Sequence, residues 1–296
     1  MNQQRVLVTG AASSLGQAVG RQLKSEGHYS IGTTRTQSSR KELPMFDQLV
    51  HVSLEDLVID NSLSVEFDSL INIAALSTGT PAKLMQVTGI ATAVLADLAL
   101  RRGIRNFIHV SSMSVYGAIN VPLVSSKTEI RHSTPYGAAK WAAECYLNSV
   151  SGQLPSVSIR SCAIVGRKSH RNFLAEVFKA MMNQTSPVYA ANPEFMFNNV
   201  IHEDTLAAFM VHLALKHRSG FGAVPVGSLD PIPFKTILET MADRTRFQGT
   251  IEWLPPKSPP FSIDITDAIE MGLRPLTTSD TINNWLDDAL GEPSRT

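Results

Sequence analysis

Cysteine is scarce in this chain, and neither sign of charge is in excess. The 296 residues include two cysteines, Cys145 and Cys162, which lie inside apolar segments and lack the spacing of metal ligands. This usage is typical of a reducing compartment, and we expect both thiols to be buried. Lys and Arg total 26, as do Asp and Glu, so no bulk field favours nucleic acid or an anionic membrane. A ligand must therefore be recognised by local groups.

Long hydrophobic runs and clusters of histidine are also missing. No apolar run approaches the roughly eighteen residues that span a bilayer, and the polar residues 1–4 do not resemble a signal peptide. The histidines are scattered, so no metal site is expected; they include His109, His132, His170 and His202. We predict a cytoplasmic protein that binds a small molecule, with no nucleic acid, membrane or metal as partner.

Strand-like and helix-like segments alternate through the first half of the chain. Apolar, β-branched runs predict five strands, at residues 5–9, 29–33, 49–52, 70–75 and 106–110. Apolar residues at helical spacing predict a long helix over residues 83–102. This alternation predicts an α/β fold with a doubly wound parallel sheet, whose strands end at one edge.

A turn with few glycines follows the first strand. Gly10 permits a tight turn and Gly16 lets the following helix approach the strand, but Ser13 or Ser14 replaces the usual middle glycine. The amino end of that helix offers N–H groups and a positive dipole end to a pyrophosphate. Strand, turn and helix indicate a dinucleotide site, although such a turn alone is a weak signal.

The segment after the second strand lacks an acidic residue. In NAD-selective folds an Asp or Glu about twenty residues past the glycines binds the ribose, but none occurs between His28 and Lys41. Arg35 stands there instead, beside Thr34 and other hydroxyl side chains, and a guanidinium suits a 2′-phosphate. NADP is therefore predicted, with NAD as the alternative; a solvated arginine is the other interpretation.

Two stretches farther along carry groups suited to redox chemistry. Ser111 and Ser112 follow the fifth strand, and Tyr136 and Lys140 lie four residues apart, which places them on one helix face. A phenol titrates near about pH 10 in water, and an ammonium one turn away can stabilise its anion. A serine, Ser112 or less readily Ser111, would hold a substrate oxygen beside the phenol.

In combination these motifs resemble the extended short-chain dehydrogenase/reductases, and most closely the NAD(P)-dependent sugar-nucleotide epimerase/dehydratase family. The resemblance spans nearly the whole chain, through Thr9-Gly10…Gly16, residues 68–75, residues 111–117, Tyr136…Lys140 with Glu144, residues 158–166, residues 199–208 and residues 262–285. It implies a Rossmann domain over residues 1–166, with later returns near 199–227, and a smaller, mainly C-terminal substrate-binding lid domain over 167–296. A homodimer through the helices at 84–99 and 136–149 is also implied.

The resemblance assigns roles to individual residues. Tyr136 would exchange a proton with a substrate oxygen while the nicotinamide exchanges a hydride with the attached carbon, Lys140 would lower the phenol pKa and hold the nicotinamide ribose, and Ser112 would orient the oxygen. Cofactor contacts are expected from Gly10, Ser13, Ser14, Leu15, Gly16, Thr34, Arg35, Ala74, Ala75, Tyr136, Lys140, Ala163 and Ile164. Substrate contacts are expected from Ser112, Met113, Arg171 and Asn172.

Departures from the family pattern narrow the reaction. The 4,6-dehydratases place an Asp-Glu pair after the catalytic hydroxyl, where this chain has Met113 and Ser114, so dehydration is not expected. Gln86 replaces a common asparagine, and Asn72 replaces a frequent histidine. Epimerases of the family usually hold NAD tightly with an acidic residue after the second strand. This chain has Arg35 there instead, which favours NADP(H) that exchanges freely with solution.

The expected function is hydride transfer at a hydroxyl/keto carbon of a sugar nucleotide or similar small molecule. One alternative is a sugar-nucleotide epimerase that retains NAD. Another, of a different class, is a non-catalytic NADP(H)-sensing protein, which would have no need of a tuned phenol.

The regular alternation weakens beyond Gly166. The basic run at residues 167–171 could meet a diphosphate or be a solvated loop. A helix is predicted over Phe173–Met182, and two closing helices over residues 264–273 and 277–290. Prolines predict loops of the lid domain, at residues 187–197, 225–233 and 254–260.

Overall fold

The chain divides into two compact units in a computed structural model, which describes residues 3–37, 41–54, 56, 65–167, 172–256 and 258–291. The first unit consists of Met1–Gly117, Glu129–Arg160 and Leu206–Val224. The second consists of Ala118–Thr128, Ser161–Thr205 and Pro225–Thr296.

A seven-stranded sheet forms the centre of the first unit. In order across the sheet, its strands are Phe221–Pro225, Ser156–Ser161, Asn106–Ser112, Ser69–Asn72, Arg5–Thr9, Tyr29–Thr34 and Gln48–His51. The first strand in the chain is parallel to both of its neighbours, as is the fourth to the fifth. The predicted doubly wound parallel sheet is confirmed. Its five predicted strands are present, with ends shifted by up to three residues.

Helices cover this sheet and bury their apolar sides against it. They span Ser14–Ser25, Pro81–Leu84, Ala91–Arg101, Pro135–Ser149 and Glu203–Leu215. The core contains Leu7 and Phe107 from the sheet together with Val87, Leu95 and Leu147 from the helices. Burial of these side chains, each worth about 1.5–3 kcal/mol, holds the layers together.

The long helix predicted over residues 83–102 is not uniform. It begins at Pro81, because Thr80 caps it by accepting a hydrogen bond from the backbone N–H of Lys83 at 3.3 Å. A π-helical turn at Met85–Ile90 interrupts it. A Cβ atom on Gly89 would lie 2.8 Å from Met85 Sδ and 3.2 Å from the Ala139 carbonyl oxygen. Gly89 therefore allows the close approach of the helix that carries Tyr136.

The expectation that no apolar run could span a membrane was wrong for this same segment. By length and composition alone, Pro81–Arg101, with a mean hydropathy of 1.4, is long and apolar enough. More than half of it, 56%, is buried inside the protein, however, and Ala91 and Leu95 belong to the core. A core helix has the same composition as a membrane span, because both bury most of their surface.

The second unit combines short paired strands with helices. Its strands are Leu123–Val124, Ala163–Val165, Val188–Ala191, Met196–Phe197, Val200–His202, Ile232–Pro233, Ile251–Leu254 and Ser262–Ile263. Its helices are Phe173–Met182, Phe234–Arg244, Thr266–Glu270 and Thr278–Leu290. A core that includes Leu174, Phe197, Ile237 and Trp285 holds these elements together.

Two predictions for the second unit need correction. The proline-rich segments predicted as loops contain strands, because Val188–Ala191 pairs in parallel with Ile251–Leu254 and Met196–Phe197 pairs with Ile232–Pro233. Pro233 takes part in an edge pairing, where a missing N–H is tolerated. The closing helix predicted over residues 264–273 is shorter, Thr266–Glu270, whereas Phe173–Met182 has the predicted bounds.

One of the two cysteines is less buried than expected. Cys145 is exposed, whereas burial raises the pKa of the Cys162 thiol, and neither forms a disulfide. Cys145 lies on the helix Pro135–Ser149, whose buried face contains Glu144 and Leu147. Apolar neighbours in the sequence misled the prediction, since helical periodicity turns position 145 outward.

The helix Pro135–Ser149 begins at a well-defined point. Thr134 Oγ1 accepts a hydrogen bond from the N–H of Gly137 at 3.0 Å, and Pro135 occupies the first helical position. A Cβ atom on Gly137 would lie 2.3 Å from the backbone oxygen of Ser114. Gly137 thus lets the first turn of the helix, with Tyr136, press against the turn that follows Ser112.

This contact predicts the effect of adding one methyl group. Gly137→Ala should destabilise the protein by about 1–3 kcal/mol through overpacking, although alanine normally favours a helix. Gly152→Ala is the matched control, because a Cβ atom there meets nothing within 4 Å. Urea denaturation of both variants measures the effect, and equal free energies of unfolding would contradict the close contact.

Candidate functional site

A cavity of about 340 Å³ opens at the carboxyl edge of the sheet in the first unit. Six of the predicted cofactor residues line it, namely Gly10, Ser13, Thr34, Arg35, Ala74 and Ala75. Further lining residues were not predicted, and they include Thr33, Thr36, Ser53, Ile73, Leu76 and Val87. Most of them follow the ends of strands, which is the signal that points to them.

The glycine turn is held by a serine. Ser13 Oγ accepts a hydrogen bond from the Gly16 N–H at 3.0 Å and donates one to the Gly10 carbonyl at 2.8 Å. Gly10 has a φ of +73°, and a Cβ atom on Gly16 would lie 2.3 Å from the Gly10 oxygen. Ser13 therefore caps the helix where a middle glycine is usual. Ser14 and Leu15 follow it as the first helical residues.

A threonine shapes the opposite wall of the cavity. Thr9 Oγ1 donates to Asn72 Oδ1 at 2.7 Å and accepts hydrogen bonds from the N–H groups of Ile73 and Ala74, both at 3.0 Å. These bonds turn the chain after the fourth strand, so that Ala74 and Ala75 line the cavity. The sequence analysis did not find this pair, although Thr9 and Asn72 share a register in adjacent strands.

Arg35 is the only charged group among the described residues that line this cavity. Its side chain is exposed and has no ion pair or hydrogen bond with any described residue. Thr34 Oγ1 lies 2.9 Å from Nδ1 of His51. The nearby Ser38 and Ser39, predicted to flank Arg35, lie outside the described residues. A cradle of backbone and hydroxyl groups with one exposed guanidinium fits a phosphorylated dinucleotide.

The two candidate serines at the end of the fifth strand have different partners. Ser112 lies beside the phenol of Tyr136 and acts to lower its pKa, while its Oγ accepts a hydrogen bond from the Ser114 N–H and donates one to Ser114 Oγ, both at 3.1 Å. Ser111 is buried and donates to Oε1 of Glu144 at 2.5 Å. Alternation along the strand points neighbouring side chains to opposite faces. The structure therefore brings Ser112, and not Ser111, to Tyr136.

Lys140 is fully buried on the same helix as Tyr136. Its Nζ donates to the Val110 carbonyl at 2.5 Å and lies 5.9 Å from the centre of the Tyr136 ring. Burial lowers the pKa of Lys140 to about 7, while the charge of Glu144 acts in the opposite direction. The ammonium is therefore partly deprotonated at neutral pH.

The pKa of the Tyr136 phenol differs from the expectation. Burial raises the pKa of Tyr136 above its usual value, and the hydrogen bond from Ser112 opposes this rise. The expectation of a phenol pKa below its usual value was therefore wrong, because burial outweighs the effects that lower it. The sequence places the two groups on one face, but burial acts on both, and the Nζ atom is engaged by Val110.

A buried ion pair that the sequence analysis did not assign lies behind these groups. Arg160 donates to Oε2 of Glu144 at 2.7 Å and to the hydroxyl of Tyr116 at 2.9 Å. Glu144 is also the partner of Ser111. The pair thus ties the helix of Tyr136 to two strands of the sheet and to the turn after Ser112. A carboxylate two helical turns beyond Tyr136, on the buried face, is the available signal.

The remaining predicted site residues that the structure describes belong to a turn, a strand and a helix cap. Met113 begins the 3₁₀ turn Met113–Tyr116 and is half-buried. Ala163 and Ile164 lie in a strand paired with Val200–His202 in the second unit. Asn172 caps the helix Phe173–Met182, since its Oδ1 accepts from the Ala175 N–H and its Nδ2 donates to the Ile164 carbonyl. Arg171 lies outside the described residues.

One group of metal-ligand type occurs among the described residues, although the histidines are scattered in the sequence. His202, Asp204 and Asp288 lie together in the second unit. Arg167 is inserted among them, with NH1 at 2.7 Å from an Asp204 oxygen and Nε at 3.7 Å from an Asp288 oxygen. The carboxylates are thus already paired with a cation.

Comparisons with known proteins agree with this architecture. The chain is 31% identical over 157 residues to a UDP-glucose 4-epimerase of Mycolicibacterium smegmatis, which covers 49% of this chain and 50% of the relative. It is 27% identical over 201 residues to the low-salt glycan biosynthesis protein Agl12 of Haloferax volcanii, covering 62% of this chain and 65% of the relative. The chain thus spans about half to two thirds of the length of these curated relatives.

Solved structures show the same fold at low identity. The UDP-Glc/GlcNAc 4-epimerase from Campylobacter jejuni superposes with a TM-score of 0.81 at 17% identity, covering 96% of this chain and 98% of that one. The UDP-glucose 4-epimerase from Thermotoga maritima gives 0.80 at 19% identity, with coverage of 96% and 98%. A profile of the NAD dependent epimerase/dehydratase family matches residues 6–213. Because this match includes well over half of the residues, the chain belongs to the NAD dependent epimerase/dehydratase family.

Proposed function

We propose that this protein is an NADP(H)-dependent oxidoreductase, which transfers a hydride at a hydroxyl/keto carbon of a sugar nucleotide or similar small molecule with Tyr136 as the acid and base. The observation that carries the proposal is that Lys140, fully buried, lies 5.9 Å from the centre of the Tyr136 ring on the same helix, with Ser112 beside the phenol. Two neighbouring hydroxyls can share one substrate oxygen. A buried lysine beside them is costly and fits a functional group.

Each side chain has a defined task in this reaction. When bound, the nicotinamide cofactor supplies or accepts the hydride. Because burial raises the pKa of Tyr136, its phenol stays protonated at neutral pH and can donate to a ketone oxygen. Ser112 orients that oxygen, and Lys140, when charged, favours the phenolate that remains. The protonated phenol is the form that reduction of a ketone requires, and the phenolate is the form that oxidation of an alcohol requires.

The preference for NADP over NAD rests on Arg35. It is the single charged side chain among the described residues that line the cavity of the first unit. A free guanidinium stabilises a 2′-phosphate by charge-assisted, bidentate hydrogen bonds. NAD is the alternative, and the family carries the description NAD dependent.

An epimerase is the second candidate, favoured by the names of the relatives. Such an enzyme would oxidise and re-reduce one carbon of a sugar nucleotide with a retained cofactor. The purified protein would then show a stoichiometric nicotinamide absorbance in the near ultraviolet without added cofactor. Dehydration has less support, since the positions after Ser112 hold Met113 and Ser114, which offer no carboxyl group. A sensor without chemistry would bind NADPH but never oxidise it.

The proposed reaction also assigns a role to each of the two units. The first unit would bind the dinucleotide, and the second would bind substrate as a lid.

A homodimer would use the helices Ala91–Arg101 and Pro135–Ser149, near which Ile90 is 47% exposed. A sedimentation coefficient of a monomer at micromolar concentration would contradict this dimer. Two cysteines without a disulfide support a cytoplasmic location, which cell fractionation tests.

Removal of one hydroxyl tests the reaction. Tyr136→Phe should retain NADPH binding but lower turnover with ketone substrates by about two to four orders of magnitude, because the proton donor is lost. Steady-state kinetics and fluorescence titration of NADPH measure the two effects. Tyr146→Phe is the matched control, since Tyr146 on the same helix binds Asp97 and takes no part in the site. Normal turnover in Tyr136→Phe would remove Tyr136 from the mechanism.

The protonation of Lys140 predicts a pH dependence of stability. Its folded pKa of about 7 lies below the ordinary value of 10.5, so between these values the unfolded chain holds more protons than the folded one. Stability should therefore rise from pH 7 to 9, by about 2 kcal/mol from this group.

Lys140→Met should remove this rise, whereas Lys216→Met, at an exposed position, should keep it. Urea unfolding at pH 7 and 9 compares the variants with the unmodified protein. If the free energy of unfolding changes equally between pH 7 and 9 in Lys140→Met and in the unmodified protein, the folded pKa of Lys140 is not lowered and the prediction is wrong.

Charge reversal at Arg35 tests the choice of cofactor. Arg35→Asp should weaken NADP⁺ binding by about one to two orders of magnitude, because a charge-assisted contact worth about 1.5–3 kcal/mol is lost. NAD⁺ binding should stay the same or improve. Calorimetric titration of both nucleotides gives the ratio of affinities, and an unchanged ratio would exclude Arg35 as the phosphate contact.

A further inference from the structure

A histidine that the proposed reaction does not use is buried beside Lys140. His109 lies on the strand Asn106–Ser112 and has no exposed surface. The next residue, Val110, offers its carbonyl oxygen to Lys140 Nζ. Burial, and after it the charge of Lys140, lowers the pKa of His109 well below its usual value. The charges of the histidine and the lysine are therefore linked.

Backbone N–H groups fix the direction of the hydrogen bonds that reach this ring. Ile73 and Ala74 donate to Thr9 Oγ1, each at 3.0 Å, which occupies both lone pairs of that hydroxyl. Thr9 must then donate its own hydrogen, and the acceptor is Asn72 Oδ1 at 2.7 Å. The amide of Asn72 is thereby oriented, with its oxygen toward Thr9 and its nitrogen toward His109.

The amide nitrogen of Asn72 can only donate hydrogen bonds. One goes to Thr92 Oγ1 at 3.1 Å, whose own hydrogen is used on the Thr88 carbonyl at 2.8 Å. The other is directed at Nδ1 of His109 at 3.3 Å. Nδ1 must therefore accept. The ring proton is left on Nε2 and the ring is uncharged, because an imidazolium carries a hydrogen on both nitrogens.

The surroundings of His109 and Lys140 favour different charges. His109 Nε2 is buried and has no hydrogen-bond partner among the described residues. An imidazolium there would lack an acceptor at Nε2 and would meet a donor at Nδ1, which makes it costly. Lys140 instead donates to the Val110 carbonyl, and the carboxylate of Glu144 favours its charged form. A positive charge is thus directed to Lys140 and kept off His109.

The groups around Lys140 that can carry charge come from its own helix and from two strands of the sheet. They include Tyr136, Glu144, His109 and Arg160. Arg160 is held by the carboxylate of Glu144 at 2.7 Å, and the phenol of Tyr136 stays protonated at neutral pH. The neighbouring strand faces His109 with Asn72, which is uncharged. A charge on His109 would therefore act directly on Lys140.

We propose that His109 is a positioning residue for Lys140, because Asn72 holds it as an uncharged ring with its proton on Nε2 and so leaves the positive charge to the lysine beside Tyr136. The inference rests on the proposed function for the use of that ammonium, which favours the phenolate during the reaction. The tautomer itself follows from hydrogen bonds that need no ligand.

The tautomer of His109 can be measured in the full chain without cofactor. Long-range proton–nitrogen NMR spectra of protein labelled with ¹⁵N in histidine identify the ring as the signal that is missing in His109→Phe. We expect the proton on Nε2 and no titration from pH 6 to 8, the range in which an ordinary histidine changes its charge. An imidazolium, or a proton on Nδ1, would overturn the proposal.

Asn72→Asp reverses the polarity of the contact. A carboxylate accepts from Nδ1–H, so His109 should become an imidazolium at neutral pH. The new carboxylate is on the next strand, one strand farther from the Val110 carbonyl that holds Lys140, so the imidazolium dominates. Lys140 should then lose its proton about one pH unit lower, a tenfold change in proton affinity.

The titration of Lys140 is followed by the ¹³Cε signal of labelled lysine, assigned through Lys140→Met. Thr92→Val is the matched control, because it breaks the other hydrogen bond of the same Asn72 amide and leaves the contact with His109 in place. The titration in Thr92→Val should match that of the unmodified protein. Equal shifts in Thr92→Val and Asn72→Asp, or no shift in Asn72→Asp, would show that the network is merely structural.

His109→Phe gives a second test that does not depend on the folding of Asn72→Asp. It replaces one uncharged ring with another, so the titration of Lys140 should stay close to that of the unmodified protein. A clear rise in the pH at which Lys140 loses its proton would mean that the native ring is charged, which contradicts the proposal.

These titrations need neither cofactor nor substrate, which separates the inference from the function on which it rests. If His109 and Lys140 titrate as expected but NADPH is never oxidised, the proposed reaction is contradicted while the control of the lysine charge by His109 is supported. If Tyr136→Phe abolishes turnover but the titration of Lys140 is unchanged in Asn72→Asp, the reaction is supported and the role of His109 is overturned.

Discussion

The buried ion pair between Glu144 and Arg160 is the constraint on which the geometry around Ser112, Tyr136 and Lys140 depends. Both side chains are almost completely removed from water, and their nitrogen and oxygen atoms lie 2.7 Å apart. Removal of one partner from such a pair typically costs about 3–5 kcal/mol, because the other charge is left uncompensated. Glu144 belongs to the helix of Tyr136 and Arg160 to a central strand, so the pair fixes the helix against the sheet.

The same pair explains why two adjacent serines differ. Ser111 is committed to Glu144, and Arg160 also reaches the hydroxyl of Tyr116 at the end of the following turn. With the strand end and the turn both anchored, Ser112 is left to contact Tyr136. The close packing of Gly137 against Ser114 adds a second constraint on the same turn. The geometry of the candidate site thus depends on a polar network behind Ser112 and Tyr136, as is common for buried functional sites.

Protonation in this site is governed more by burial than by the spacing of residues. Tyr136 and Lys140 share a helix face, and spacing alone suggests that the ammonium would acidify the phenol. Burial instead favours the uncharged form of both groups, which raises the pKa of Tyr136 and lowers that of Lys140 to about 7. The result is a protonated phenol beside a lysine that changes its charge near neutral pH.

The sequence by itself determined the order of strands and helices in the first half of the chain, the glycine turn, and the placement of Tyr136 and Lys140 on one face. These features follow from local periodicity and backbone preferences, which neighbouring residues encode. Only the tertiary structure decided which serine meets Tyr136, how burial sets the two pKa values, and that Asn72 faces His109. Those properties arise from contacts between residues far apart in the chain, such as Glu144 with Ser111 or Thr9 with Asn72. Local patterns do not contain such contacts, since packing and desolvation exist only once the elements meet.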